Sequence, residues 1–157
     1  MSEMLSPMER RVTLRLLAYW EKMRRDRAMP DVPDINSADL EDLWDSCFLV
    51  HIPDPAQEDY HYSYLGQAIR EAYRFGEAKG DSQELVLPVI GKLATGYNKV
   101  RATAKPLLEE GEFRNLSNQL VRYRQCLLPL GEKEEVRAIF GGMLFRIFTV
   151  DLAPALQ

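Results

Sequence analysis

The stretch LVRYRQCLLPLGEKEEVRAIFGGMLFRIF, Leu120 to Phe148, constrains this chain more than any other. Two runs rich in Val, Ile, Leu, Phe and Tyr flank the polar break Gly131-Glu132-Lys133-Glu134-Glu135, which predicts two adjacent antiparallel strands joined by a longer loop. Pro129 has no N–H to give to a ladder, so it is expected near the end of the first strand with its nitrogen turned away from a partner. Gly141-Gly142 weakens the second strand unless something approaches its backbone closely, and a bulge, a crossing helix and a ligand all satisfy that condition.

The rest of the chain alternates helical and extended patterns. Ser6 can cap a helix with Pro7 at its first position and Glu9 three residues after the cap. Met8, Val12, Leu16, Tyr19, Trp20 and Met23 then recur at three- and four-residue steps as one apolar stripe, with the arginines and lysine mostly off it. Such a stripe covers either its own domain or a copy of itself, so these six residues are the candidate dimer or partner surface. Met29 to Asp34 is an extended connector set by two prolines, and Ser37 to Trp44 predicts a short capped helix. Cys47 to Ile52 and Tyr60 to Leu65 predict strands around the turn Pro53-Asp54-Pro55, with Tyr60, Tyr62 and Tyr64 on one face and His61 and Ser63 on the other. A helix is expected from Gln67, a loop over Gly76 to Asp81, and a short helical turn over Glu84 to Leu87. A longer helix follows from Pro88 to Ala104, and Leu107 to Arg114 predicts a strand.

Three local sequences carry a family resemblance. Arg124 to Leu130, with its Leu-Pro-Leu end, a charged loop and Ile139-Phe140-Gly141-Gly142 resemble the last two strands of PAS domains, more narrowly those of small stand-alone bacterial PAS-like proteins. Tyr62-Ser63-Tyr64-Leu65-Gly66 before a helix is similar to a second part of that family. Leu16 to Trp20, followed by Pro33 to Ile35 and Asp39-Leu40, resembles its N-terminal helix and connector. The resemblance implies an α+β fold: a five-stranded antiparallel sheet in the order 2-1-5-4-3 with helices on one face and an N-terminal helical extension. The expected divisions are an extension over 1–45, a PAS-like domain over 46–150 and a tail over 151–157. It also implies a non-catalytic sensory or adaptor role in bacterial signalling, and no segment of the sequence reads as an attached output domain.

Composition excludes several other classes. With 46% hydrophobic and 28% charged residues over 157 positions, the chain is of globular type, and its net charge of −4 gives no basic footprint for nucleic acid. No run approaches the length and apolarity of a membrane span, and the N-terminus lacks the pattern of a signal peptide. Cys47 and Cys126 lie far apart without metal-ligand spacing, which fits a reducing cytoplasm. The two histidines, His51 and His61, have no convergent Cys, Asp or Glu, so no metal site is expected. By the resemblance, haem would be held by a histidine on the helix before the third strand, as in haem-binding PAS domains, and Leu85 to Ala104 holds none. A flavin photoreceptor would need a reactive cysteine in an Asn-Cys-Arg-Phe context, which neither cysteine has. No phosphate loop, dinucleotide fingerprint, nucleophile elbow or paired catalytic carboxylate is present.

The resemblance also implies an apolar cavity between the sheet and its helices, filled either by side chains or by a small apolar ligand. Tyr62, Tyr64, Tyr97, Phe113, Tyr123, Met143 and Phe145 are the candidate lining. The partner expected is a signalling protein, with a homodimer through the N-terminal helix as a further possibility. The alternatives are a small α+β carrier or enzyme, which would show convergent polar groups and a perturbed titratable residue, and a structural dimer built on the first helix.

Overall fold

Three C-terminal extended segments and two short N-terminal ones build one sheet. The computed structural model describes residues 7–52, 60–73 and 95–148. Helix α1 (Pro7–Arg24) precedes β1 (Cys47–His51), β2 (His61–Leu65) and α2 (Gln67–Tyr73); a helical segment over 95–103 then leads to β3 (Leu107–Arg114), β4 (Leu120–Glu132) and β5 (Glu135–Phe148). The strands lie in the order β2-β1-β5-β4-β3, all neighbours antiparallel. The first and last strands are therefore side by side at the centre, Cys47 opposite Gly142 and His51 opposite Ala138. The five-stranded sheet and its order are those expected. The expected cap at Ser6, the turn at 53–59, the loop and helical segments over 74–94 and the tail over 151–157 lie outside the described residues.

Residues Gly141 and Gly142 separate the two faces. A Cβ on Gly141 would collide with the Phe48 ring, and one on Gly142 with Leu16 Cδ1. Since neighbouring strand residues point to opposite sides, Phe48 and Leu16 stand on opposite faces of β5. The ring of Phe48 packs 6.3 Å from that of Tyr97, so the helical segment 95–103 covers what we call the inner face. Helix α1 covers the outer face. Of the three readings open for the glycine pair, close approach by packed elements is the one present, a ring on one side and a crossing helix on the other.

The apolar stripe of α1 lies on its own sheet. Leu16, Tyr19 and Trp20 are buried, and Val12 and Met23 pack partly buried against the same core. The side chain of Met8 lies outside the described residues. The Trp20 indole N–H donates to the Pro129 carbonyl at 2.8 Å, and the Gly131 N–H donates to the Pro30 carbonyl at 2.8 Å. These bonds have a topological cause. Strand β3 reaches β4 no further than Leu127, so beyond that point one edge of β4 has no strand to pair with. Pro129 stands near the end of β4, as expected, and is tolerated because its nitrogen faces that open edge. Helix α1 and its connector close the edge that β3 leaves.

Two expectations are corrected. The polar break shrinks to a turn at Lys133-Glu134, with Lys133 at φ 55°, because Glu132 and Glu135 still pair. Ser37 to Trp44 is not one helix but two 3-10 turns, Ser37–Leu40 and Trp44–Ser46. The cap is Asn36, whose side chain accepts from the Ala38 N–H at 3.0 Å. A run this short recovers few backbone bonds for the residues it fixes, so tight single turns suffice.

Candidate functional site

The inner face of the sheet is the candidate site, because it gathers aromatic rings and polar atoms under the helices. Alternation from Phe48 and Gly141 places Val50 of β1, Met143 and Phe145 of β5, Tyr123, Gln125 and Leu127 of β4, and Glu109 and Phe113 of β3 on this side. Tyr62 joins them from β2, edge-on to Phe48 with ring centroids 5.8 Å apart. Its hydroxyl and that of Tyr97 hydrogen-bond to each other, and the Tyr60 hydroxyl donates to Asn98. Phe113 and Tyr123 lie 5.9 Å apart, and Phe145 borders a surface recess of about 390 Å³ with Ala68, Ala72 and Ile147.

Six of the seven residues proposed for the lining share this face. Tyr64 stands on the other. The β1–β2 register shifts between Leu49 and Val50, so that Leu49 opposes Tyr64 while Val50 opposes Tyr62. The extra residue turns Tyr64 to the outer face, where it stacks on Trp44 at 4.6 Å and donates its hydroxyl hydrogen to the Trp44 carbonyl at 2.8 Å. Strict alternation had put all three tyrosines together, and one bulge separates them.

Gln125 was not singled out from the sequence. It is 3% exposed, its amide N–H donates to Glu109 Oε1 at 2.9 Å, and its own Oε1 is buried without a hydrogen-bond partner. The helical segment comes so close that a Cβ on Gly96 would fall against the Glu109 carboxylate. A signal for Gln125 does exist in the sequence. Alternation sets Arg122, Arg124 and Cys126 on one face of the strand, which leaves Val121, Tyr123, Gln125 and Leu127 on the other, and Gln125 is the one fully polar side chain among them. Arg122 and Arg124 do lie on the outer face, against Glu112 and Glu110 at 3.2 and 3.3 Å.

Two phenols of this face are shifted by their surroundings. Burial pushes the Tyr62 phenol far up, partly opposed by its bond to Tyr97, and burial and then the Glu109 charge raise Tyr123. Both stay protonated across physiological pH. Cys47 and Cys126 flank Gly142 on the outer face, so neither thiol of the chain reaches an inner-face ligand. With β5 between them, their Cα atoms are about 9.6 Å apart by strand spacing, beyond the roughly 7 Å a disulfide spans. Burial raises each thiol to about 12, so no reaction with a disulfide reagent such as DTNB is expected in the folded protein, and two thiols per chain after denaturation.

His51 and His61 form a stacked cross-strand pair on the outer face, centroids 5.3 Å apart, with His51 Nε2 2.9 Å from Ser63 Oγ. Burial, and secondarily the neighbouring His61, lower the His51 pKa below its usual 6.5. The fold therefore favours neutral His51, and that contribution to stability is lost as pH falls through 6.5 toward the lower folded value. Melting temperature should drop between about pH 7 and pH 5, and more shallowly in His51→Gln. Asp34, lowered mainly by the Asp31 backbone N–H, acts below its usual 3.8 and leaves this window clear.

Among the described residues no group of three or more His, Cys, Asp or Glu could hold a metal ion, and no helix is long and apolar enough to cross a membrane. No family model matches the chain, and no curated protein matches it. Among solved structures, the chain is similar to a Rhodobacter sphaeroides LOV protein at 8% identity and a TM-score of 0.47, over 78% of this chain and 74% of that one. It is also similar to an RNA-binding light-oxygen-voltage receptor at 15% identity and a TM-score of 0.44, over 71% of this chain and 34% of that one.

Proposed function

We propose that this chain is a non-catalytic sensory or adaptor protein of PAS-like build, working in bacterial cytoplasmic signalling through contact with a separate protein. In this reading a small ligand held against the inner face is the signal. The observation that carries the reading is the sheet itself: with β1 and β5 central, the inner side collects Tyr62, Tyr97, Phe113, Tyr123, Met143 and Phe145 around a polar centre at Gln125. An apolar surface with a few fixed polar atoms is the usual composition of a small-molecule site. Two protonated thiols, separated by a strand, support a reducing compartment.

The partner surface is assigned to the exposed parts of the fold. The stripe residues Leu16, Tyr19 and Trp20 serve the chain's own core, so a homodimer through α1 would form along its other side, where Leu14 is 60% exposed. Native mass spectrometry of the full chain purified from its own host tests the ligand. The expected result is a bound organic mass that is released on denaturation. Protein that is consistently free of any bound mass overturns ligand sensing.

A further inference from the structure

We infer that the inner face takes a ligand carrying a cationic N–H donor group, an amidinium or primary ammonium on an apolar body, received by Gln125 Oε1 and the Glu109 carboxylate. This rests on the ligand reading above and specifies its chemistry.

Three observations converge on it. The first is the orphan acceptor. Buried side-chain oxygens without partners are uncommon because each forfeits its hydration; Gln125 Oε1 is the one such atom among the described residues. The amide is not free to turn its nitrogen into that place, since Nε2 is engaged by Glu109 Oε1 at 2.9 Å. A flipped amide would set two oxygens against each other and strand the N–H₂ instead. The second is charge. No ion pair forms on Glu109 among the described residues, so a carboxylate and an amide carbonyl stand side by side with no cation against them. The third is Gly96: with no Cβ there, the helical segment lies directly against this carboxylate, so the acceptor pair is covered by backbone rather than by a side chain.

An acceptor pair of this kind selects donors and rejects anions. A neutral carbonyl accepts one N–H, the carboxylate accepts a second, and a planar amidinium offers both at once. An anion would bring a third acceptor into the same place. Met143, which pairs with Gln125 across the sheet, and Tyr97 on the covering helix offer the apolar and aromatic contact for the body of the molecule.

Benzamidine and benzoate, alike in size and opposite in charge, are suitable probes, titrated calorimetrically into the full chain. Benzamidine is expected to bind at least about tenfold tighter than benzoate, the ratio that one charge-assisted hydrogen bond supplies. Gln125→Met, which keeps length and removes the carbonyl, and Glu109→Gln, which keeps shape and removes the charge, should each weaken benzamidine by about tenfold or more while leaving the circular dichroism of the fold unchanged. Glu109 lies partly exposed, so its variant provides the test if Gln125→Met does not fold. Benzoate binding as tightly as benzamidine, no binding of benzamidine, or full affinity in both variants overturns the inference. A neutral or anionic mass carried by host-purified protein would overturn this chemistry while leaving the sensory reading standing; the absence of any bound mass removes both.

Discussion

Trp20→Ala is expected to destabilise the protein by about 3–5 kcal/mol, the range for removing a buried large aromatic side chain. Trp20 is 4% exposed and sits where α1 crosses the outer face. Two losses add there. The ring leaves a cavity against the core, and the Pro129 carbonyl loses its donor at the flank where β3 has ended. Trp20→Phe separates them, because it keeps most of the ring and removes only the N–H; it should cost about 1–3 kcal/mol, the penalty for an unpaired buried acceptor. Urea denaturation followed by circular dichroism measures both. If Trp20→Phe costs nothing, water reaches Pro129 and α1 does not close that edge.

Gly66→Ala is expected to cost about 3 kcal/mol, at the upper end of the usual range for overpacking. Gly66 begins the turn from β2 into α2: its N–H donates to the Cys47 carbonyl at 2.9 Å, and its carbonyl accepts from the N–H groups of Ile69 and Arg70, both at 3.1 Å. A Cβ there would stand 2.5 Å from the Asp45 carbonyl carbon and 2.9 Å from the Cys47 oxygen. These are backbone atoms, so relief requires moving the entry to β1. Gly142→Ala is the control. Its Cβ would meet the tip of the Leu16 side chain, which can rotate, so about 1 kcal/mol is expected. Equal costs at the two positions would show that the 45–47 segment yields as easily as a leucine rotamer.

Individual residues show why some of this was legible and some was not. Strand β3 has the bounds expected for it, Leu107 to Arg114, and its exposure alternates along the strand as it pairs regularly with β4. The sheet order came from a family resemblance rather than from periodicity, which cannot say which strands meet. Tyr64 was assigned to the wrong face because a bulge shifts register without marking the sequence. Gln125 passed unnoticed for a different reason. Its parity was readable, but a glutamine in a strand signals nothing until its neighbours are known. Only packing shows that one amide atom is engaged and the other is left without a partner.

Composition and spacing determined that this chain makes helices and antiparallel strands with a long closing hairpin, because those patterns reflect short-range geometry that each segment carries with it. Which face α1 covers, that its stripe lies on its own sheet, and that it supplies the donors β3 leaves missing were decided by the tertiary structure. Those outcomes depend on where β3 ends relative to β4 and on backbone groups that must find partners once buried, and such relations exist only between segments that folding has brought together.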